Sequence, residues 1–130
     1  MWINKKNNAS YNFKAPEIEG DADKKTEILF PTVEKTSPTL SSNAATVKVE
    51  RDTTIVDLGS LSAAATLTLT PGDNLGVGAK VVVKSTSDGT ARNVTVKKDA
   101  STTVGTIAGT ASTTVAKIVV WDGSAWILCN

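Results

Sequence analysis

The sequence predicts an all-β protein: an antiparallel β-sandwich or jelly-roll-like domain of about eight short strands, preceded by an extended N-terminal arm. Three observations carry this reading. From about residue 44 onward Thr, Ser, Ala, Val and Gly dominate, while the long helix formers Glu, Gln, Met and Arg are scarce. Short runs in that region alternate apolar and polar residues with the period of two that a half-buried strand requires. Turn residues punctuate the runs at the spacing of a sandwich or barrel.

Residues 1–44 differ in kind. They are rich in Asn, Lys, Glu and Asp, hold three of the four prolines (Pro16, Pro31, Pro38), and show neither helical nor strand periodicity. Their charges are segregated: Lys5, Lys6 and Lys14 come before any acid, and Glu17, Glu19, Asp21 and Asp23 follow without a base. Such blocks resist collapse. Large apolar side chains are spaced along this arm at Trp2, Tyr11, Phe13 and Ile18, then clustered at Ile28, Leu29 and Phe30. Spaced anchors on a polar string are how such segments dock along a partner, so these seven residues are the candidate docking anchors.

From residue 45 the strands follow in order. ATVKVE (45–50) points Val47 and Val49 inward, and TTIVDL (53–58) is expected to pair with it across an Arg51-Asp52 turn. ATLTLT (65–70) sets Leu67 and Leu69 against a threonine ladder, and PGDNLGVG (71–78) reads as a loop. AKVVVKST (79–86) and RNVTVKK (92–98) flank an Asp88-Gly89 signal that predicts a hairpin, with Val94 and Val96 inward. STTVGTIAG (101–109), TVAKIVVW (114–121) and AWILC (125–129) complete the set, leaving no room for a helix longer than a turn or two.

The stretch VVWDGSAWILCN reads as strand, turn, strand. Asp122-Gly123 suits a two-residue loop, and a four-residue loop keeps the same parity. Either register puts Val119, Trp121, Trp126 and Leu128 on one face, with Ile118, Val120, Ile127 and Cys129 on the other. A hairpin apolar on both faces is expected between two sandwich layers, or between a sheet and another subunit. Val119, Trp121, Trp126, Ile127 and Leu128 are therefore candidates for the core or an oligomer interface.

The composition narrows the function. With 14 basic and 13 acidic residues in 130, the chain has no field to gather nucleic acid or an anionic membrane. No apolar run approaches 18 residues and MWINKKNNAS lacks the apolar core of a signal peptide, so the expectation is synthesis in a cytoplasm without a membrane anchor. One cysteine and no histidine leave no internal disulfide, no usual zinc site, and no Ser/His or Cys/His pair. Asp52, Asp57, Asp73, Asp88, Asp99 and Asp122 fall singly in turns and strand ends, where aspartate serves local backbone bonds. GDNLGVGAK lacks the phosphate-loop spacing and a following helix. The expectation is a non-enzyme with no cofactor and no metal.

Tryptophans on a β-sandwich can form a stacking platform for a host glycan. Burial competes with that use, because enclosing one large side chain is worth roughly 1.5–3 kcal/mol of a net stability near 5–15 kcal/mol. The inward positions are otherwise small, and small side chains bury little area for each residue ordered. Self-association is the expected supplement.

TTIVDLGSLSAAATLTLTPG, GAKVVVKSTSDGTARNVTVKKDASTTVGTIAG and the closing VVWDGSAWIL together resemble the small β domains of bacteriophage head fibres, capsid decoration proteins and tail fibres, over residues 53–129. In those domains a closing W-D/N-G-x-x-W is frequent. The resemblance implies a β-sandwich or interleaved β structure that often trimerises, joined to the virion by an N-terminal segment. It implies residues 1–44 as a capsid-docking arm contacting the major capsid protein or another virion protein, and residues 45–130 as an oligomerisation domain on the capsid exterior. A tail-fibre or glycan-binding module recognising the host surface is the alternative. The family supplies no fixed site, so no functional residue carries over.

Overall fold

The computed structural model describes residues 33–130, and the β unit spans Thr32–Asn130. Among the described residues there is no helix. Nine strands are present: β1 Val33–Thr36, β2 Ala44–Val49, β3 Thr53–Leu61, β4 Ala65–Pro71, β5 Lys80–Ser87, β6 Val94–Lys97, β7 Thr103–Ile107, β8 Thr114–Trp121 and β9 Trp126–Cys129. They form a five-stranded sheet, in the order β9-β8-β5-β3-β1, and a four-stranded sheet, in the order β2-β4-β6-β7. The all-β class holds, in two mixed sheets that do not close into a barrel.

The antiparallel sandwich is corrected by the path of the chain. From β1 to β6 successive strands alternate between the two sheets, so strands two apart in sequence become neighbours and pair in parallel: β1 with β3, β3 with β5, β2 with β4, and β4 with β6. A parallel neighbour needs a crossover, normally a helix. Here the crossover is a strand of the facing sheet, so the first six strands wind as a flat coil. Only the last third reverses, with β7 on β6, β8 on β5 and β9 on β8, all antiparallel.

Two expected hairpins are overturned by this winding. β2 and β3, on either side of Arg51-Asp52, lie in opposite sheets, and so do β5 and β6 on either side of Asp88-Gly89. Asp88 serves a wider corner instead of a two-residue loop. Its Oδ1 accepts from the Thr90 N–H at 3.0 Å and from Arg92 Nε at 2.8 Å, and its Oδ2 accepts from the other Arg92 nitrogen at 2.9 Å. The Arg92 N–H is donated to Ser87 Oγ at 3.0 Å, which carries the chain across to the second sheet. β1, which precedes the compositional change at residue 44, is an edge strand of the larger sheet.

The inward positions are as the alternation requires. Val47 and Val49, Leu67 and Leu69, and Val94 and Val96 are buried between the sheets with Val56, Val81, Val83, Ile107 and Val119. β3 explains its impure pattern: Thr54, Val56 and Leu58 point inward, then a bulge between Asp57 and Ser60 resets the parity so that Leu61 is also buried. The bulge uses Gly59 at φ +70°, and the Gly59 N–H is donated to Asp57 Oδ1 at 2.9 Å.

Candidate functional site

The β8–β9 hairpin closes one end of the core and exposes its back to solvent. Its loop has four residues, Asp122 to Ala125, so Trp121 and Trp126 stand directly opposite each other. Asp122 selects this longer loop. Its Oδ1 accepts from the N–H groups of Ser124 at 2.9 Å and Ala125 at 2.7 Å, while its own N–H is donated to the Ala125 carbonyl at 3.0 Å. Those two donors hold the Asp122 carboxyl below the ordinary carboxylate range.

On the inner face both rings are buried, with Trp121 7% and Trp126 5% exposed. Their centroids are 5.0 Å apart with planes tilted by 56°, within the favourable range for aromatic pairs. Trp126 Nε1 donates to the Leu69 carbonyl oxygen at 2.9 Å, a bond that ties β9 of one sheet to β4 of the other. Lys98 Nζ sits 5.6 Å from the Trp121 ring centroid and donates to the Ser124 carbonyl at 2.9 Å, clipping the loop from outside. Neither tryptophan offers the open ring face that stacking on a sugar demands. Leu128 is half-buried beside β7, at the position where a side chain on Gly105 would meet it.

The outer face of the same hairpin is different. Ile118 is 41% exposed and Ile127 50% exposed, with Val120 half-buried and Cys129 exposed. Register extends this face across the sheet. One row runs Cys129, Ile118, Val82, Ile55 and Lys35 over β9, β8, β5, β3 and β1. The row beside it runs Ile127, Val120, Lys80, Thr53 and Val33, the last 53% exposed. Lys84 and Asp57, on the far side of the first row, pair at 3.6 Å.

The back of the four-stranded sheet serves as an internal comparison. There the outward positions are Thr46 and Lys48 on β2, Thr66, Thr68 and Thr70 on β4, and Thr95 and Lys97 on β6. Threonine has the β-propensity of valine and isoleucine and is at home in water. β-propensity alone therefore does not account for isoleucine and valine on the other back.

Of the residues singled out from sequence, Val119, Trp121 and Trp126 lie in the core, Leu128 at its margin, and Ile127 on the outer face. The docking anchors Trp2, Tyr11, Phe13, Ile18, Ile28, Leu29 and Phe30 lie outside the described residues. Val33, Ile55 and Val82 share the outer face with Ile127 and were legible only in part. The triple valine of AKVVVKST and the Ile-Val of TTIVDL both break alternation, which signals apolar groups on two faces.

Among the described residues, no group of three or more Cys, Asp or Glu is placed to hold a metal ion. A polar cleft of about 270 Å³ is lined by Lys48, Glu50, Gly72, Asp73, Asn74 and Leu75, remote in sequence from the tryptophan hairpin and without a hydroxyl or thiol nucleophile.

No protein-family model, curated protein or solved structure matches the chain.

Proposed function

We propose that this chain is a structural component of a bacteriophage virion, of the capsid-decoration or head-fibre type. Residues ahead of the β unit join it to the major capsid protein or another virion protein. The β unit self-associates, as a trimer, on the capsid exterior after synthesis in the host cytoplasm.

The observation that carries the reading is the contrast between the two sheet backs. One is furnished with Thr and Lys and is suited to water; the other keeps Ile118, Ile127 and Val33 half or nearly half exposed in an otherwise well-packed unit. A β unit whose described residues form no metal-binding group, and leave Ile118, Ile127 and Val33 exposed on one sheet back, has the properties of an assembly part. The resemblance of residues 53–129 to phage head-fibre and decoration domains points the same way, and the segregated charges and spaced apolar groups of residues 1–30 suit a segment that docks in a fixed register.

Deletion of residues 1–30 tests the docking half of this reading. The truncated chain is expected to remain folded and soluble and to be missing from purified particles that incorporate the full chain. Normal incorporation of the truncated chain would refute a docking role for those residues.

A further inference from the structure

We propose that the outer face of the five-stranded sheet, centred on Ile118, Val82, Ile55 and Ile127, is where copies of this chain meet. The inference rests on the reading that the β unit self-associates, and it assigns the surface.

Three arguments select another copy as the occupant. The first is shape. A twisted sheet is covered best by a second sheet of like twist, because aligned sheets pack face to face at about −30°, an angle their twist sets. A copy of the same face supplies that twist.

The second is area. Five strands at about 4.8 Å spacing and five residues at about 3.3 Å rise give a flat footprint of about 400 Å². The accessible surface exceeds the footprint, since side chains stand out of the pleat. The footprint on two copies is about 800 Å², and the larger accessible surface approaches the lower end of the roughly 1,200–2,000 Å² that specific interfaces bury.

The third is charge. Within the face Lys84 is already paired with Asp57 at 3.6 Å. The two further lysines, Lys80 and Lys35, have long stems that can cover apolar surface while their ammonium groups reach the rim. No unpaired carboxylate is forced into the contact. Two such faces can meet as a pair, or three around a three-fold axis.

The test is the native mass of the full chain and of three variants, Ile118→Lys, Ile127→Glu and Thr68→Lys. Wild type and Thr68→Lys, whose change is on the hydrated back, are expected at the same multiple of 13.5 kDa. Ile118→Lys and Ile127→Glu are expected at 13.5 kDa itself. Ile127 is half exposed, so its replacement leaves the core intact, and an unchanged far-ultraviolet spectrum checks that the variant is folded. An oligomer that survives both face variants would overturn this assignment while leaving self-association in place. A wild-type monomer would overturn both.

Discussion

Replacing Trp126 probes how the two sheets are held together. The ring is 5% exposed, packs on Trp121 at 5.0 Å, and donates Nε1 to the Leu69 carbonyl at 2.9 Å. Trp126→Ala removes all three contributions, and a buried Trp→Ala change costs about 3–5 kcal/mol. That is a large share of a domain's net stability of about 5–15 kcal/mol. Trp126→Phe isolates the hydrogen bond. An aromatic ring remains against Trp121, but the Leu69 carbonyl loses its donor, and an orphaned buried acceptor costs about 1–3 kcal/mol. A double-mutant cycle with Trp121→Leu and Trp126→Leu should return a coupling of about 0.5–1.5 kcal/mol for the ring pair. The assay is urea unfolding followed by far-ultraviolet circular dichroism at one fixed protein concentration, because self-association shifts apparent stability. A Trp126→Phe variant within about 0.5 kcal/mol of wild type, below the range expected for the orphaned acceptor, would refute the idea that this bond clamps the sheets.

Three further perturbations follow from the geometry. Gly109→Ala would drive its new Cβ into the Arg92 carbonyl, a backbone atom that cannot swing aside, so the unfolding midpoint should fall by the equivalent of about 1–3 kcal/mol. Thr54→Val should raise it by about 1 kcal/mol, because Thr54 Oγ1 is buried with no hydrogen-bond partner among the described residues and valine keeps the shape. The carboxyls of Asp88, Asp99 and Asp122 are all depressed below the ordinary value of 3.8, by the Arg92 side chain, the Ser101 N–H and the Ser124 N–H respectively as the leading causes. Because their folded values lie under the unfolded one, the stability they contribute is complete above 3.8 and is lost as pH falls through the depressed values. An acid titration of the unfolding midpoint should therefore bend downward below that value, and Asp122→Asn should make the bend shallower. A midpoint flat through that window would contradict the assignment.

Facing direction was written in the sequence, and pairing partner was not. The alternation of ATVKVE, ATLTLT and RNVTVKK correctly turns Val47 and Val49, Leu67 and Leu69, and Val94 and Val96 to the core. Alternation fixes which face a side chain takes, and it is the same whether the next strand over is parallel or antiparallel. A corner that crosses between sheets uses the same Asp and Gly residues as a hairpin turn. Asp88-Gly89 therefore read as a reversal, when Asp88 and Arg92 build a corner between β5 and β6. At Asp122-Gly123 the reversal is real, because β8 and β9 stay in one sheet. The apolar outer face was visible in the hairpin alone. Its extension through Val82 and Ile55 depends on β5 lying between β3 and β8, an order set by long-range winding.

The native mass of the full chain across a dilution series tests most directly whether this molecule works by adhering to its own kind. The account predicts an integral multiple of 13.5 kDa, three for a trimer, that persists at micromolar concentration and gives way to 13.5 kDa on dilution or on Ile118→Lys substitution. A species of 13.5 kDa at every concentration, with Ile118 and Ile127 facing water, would contradict it.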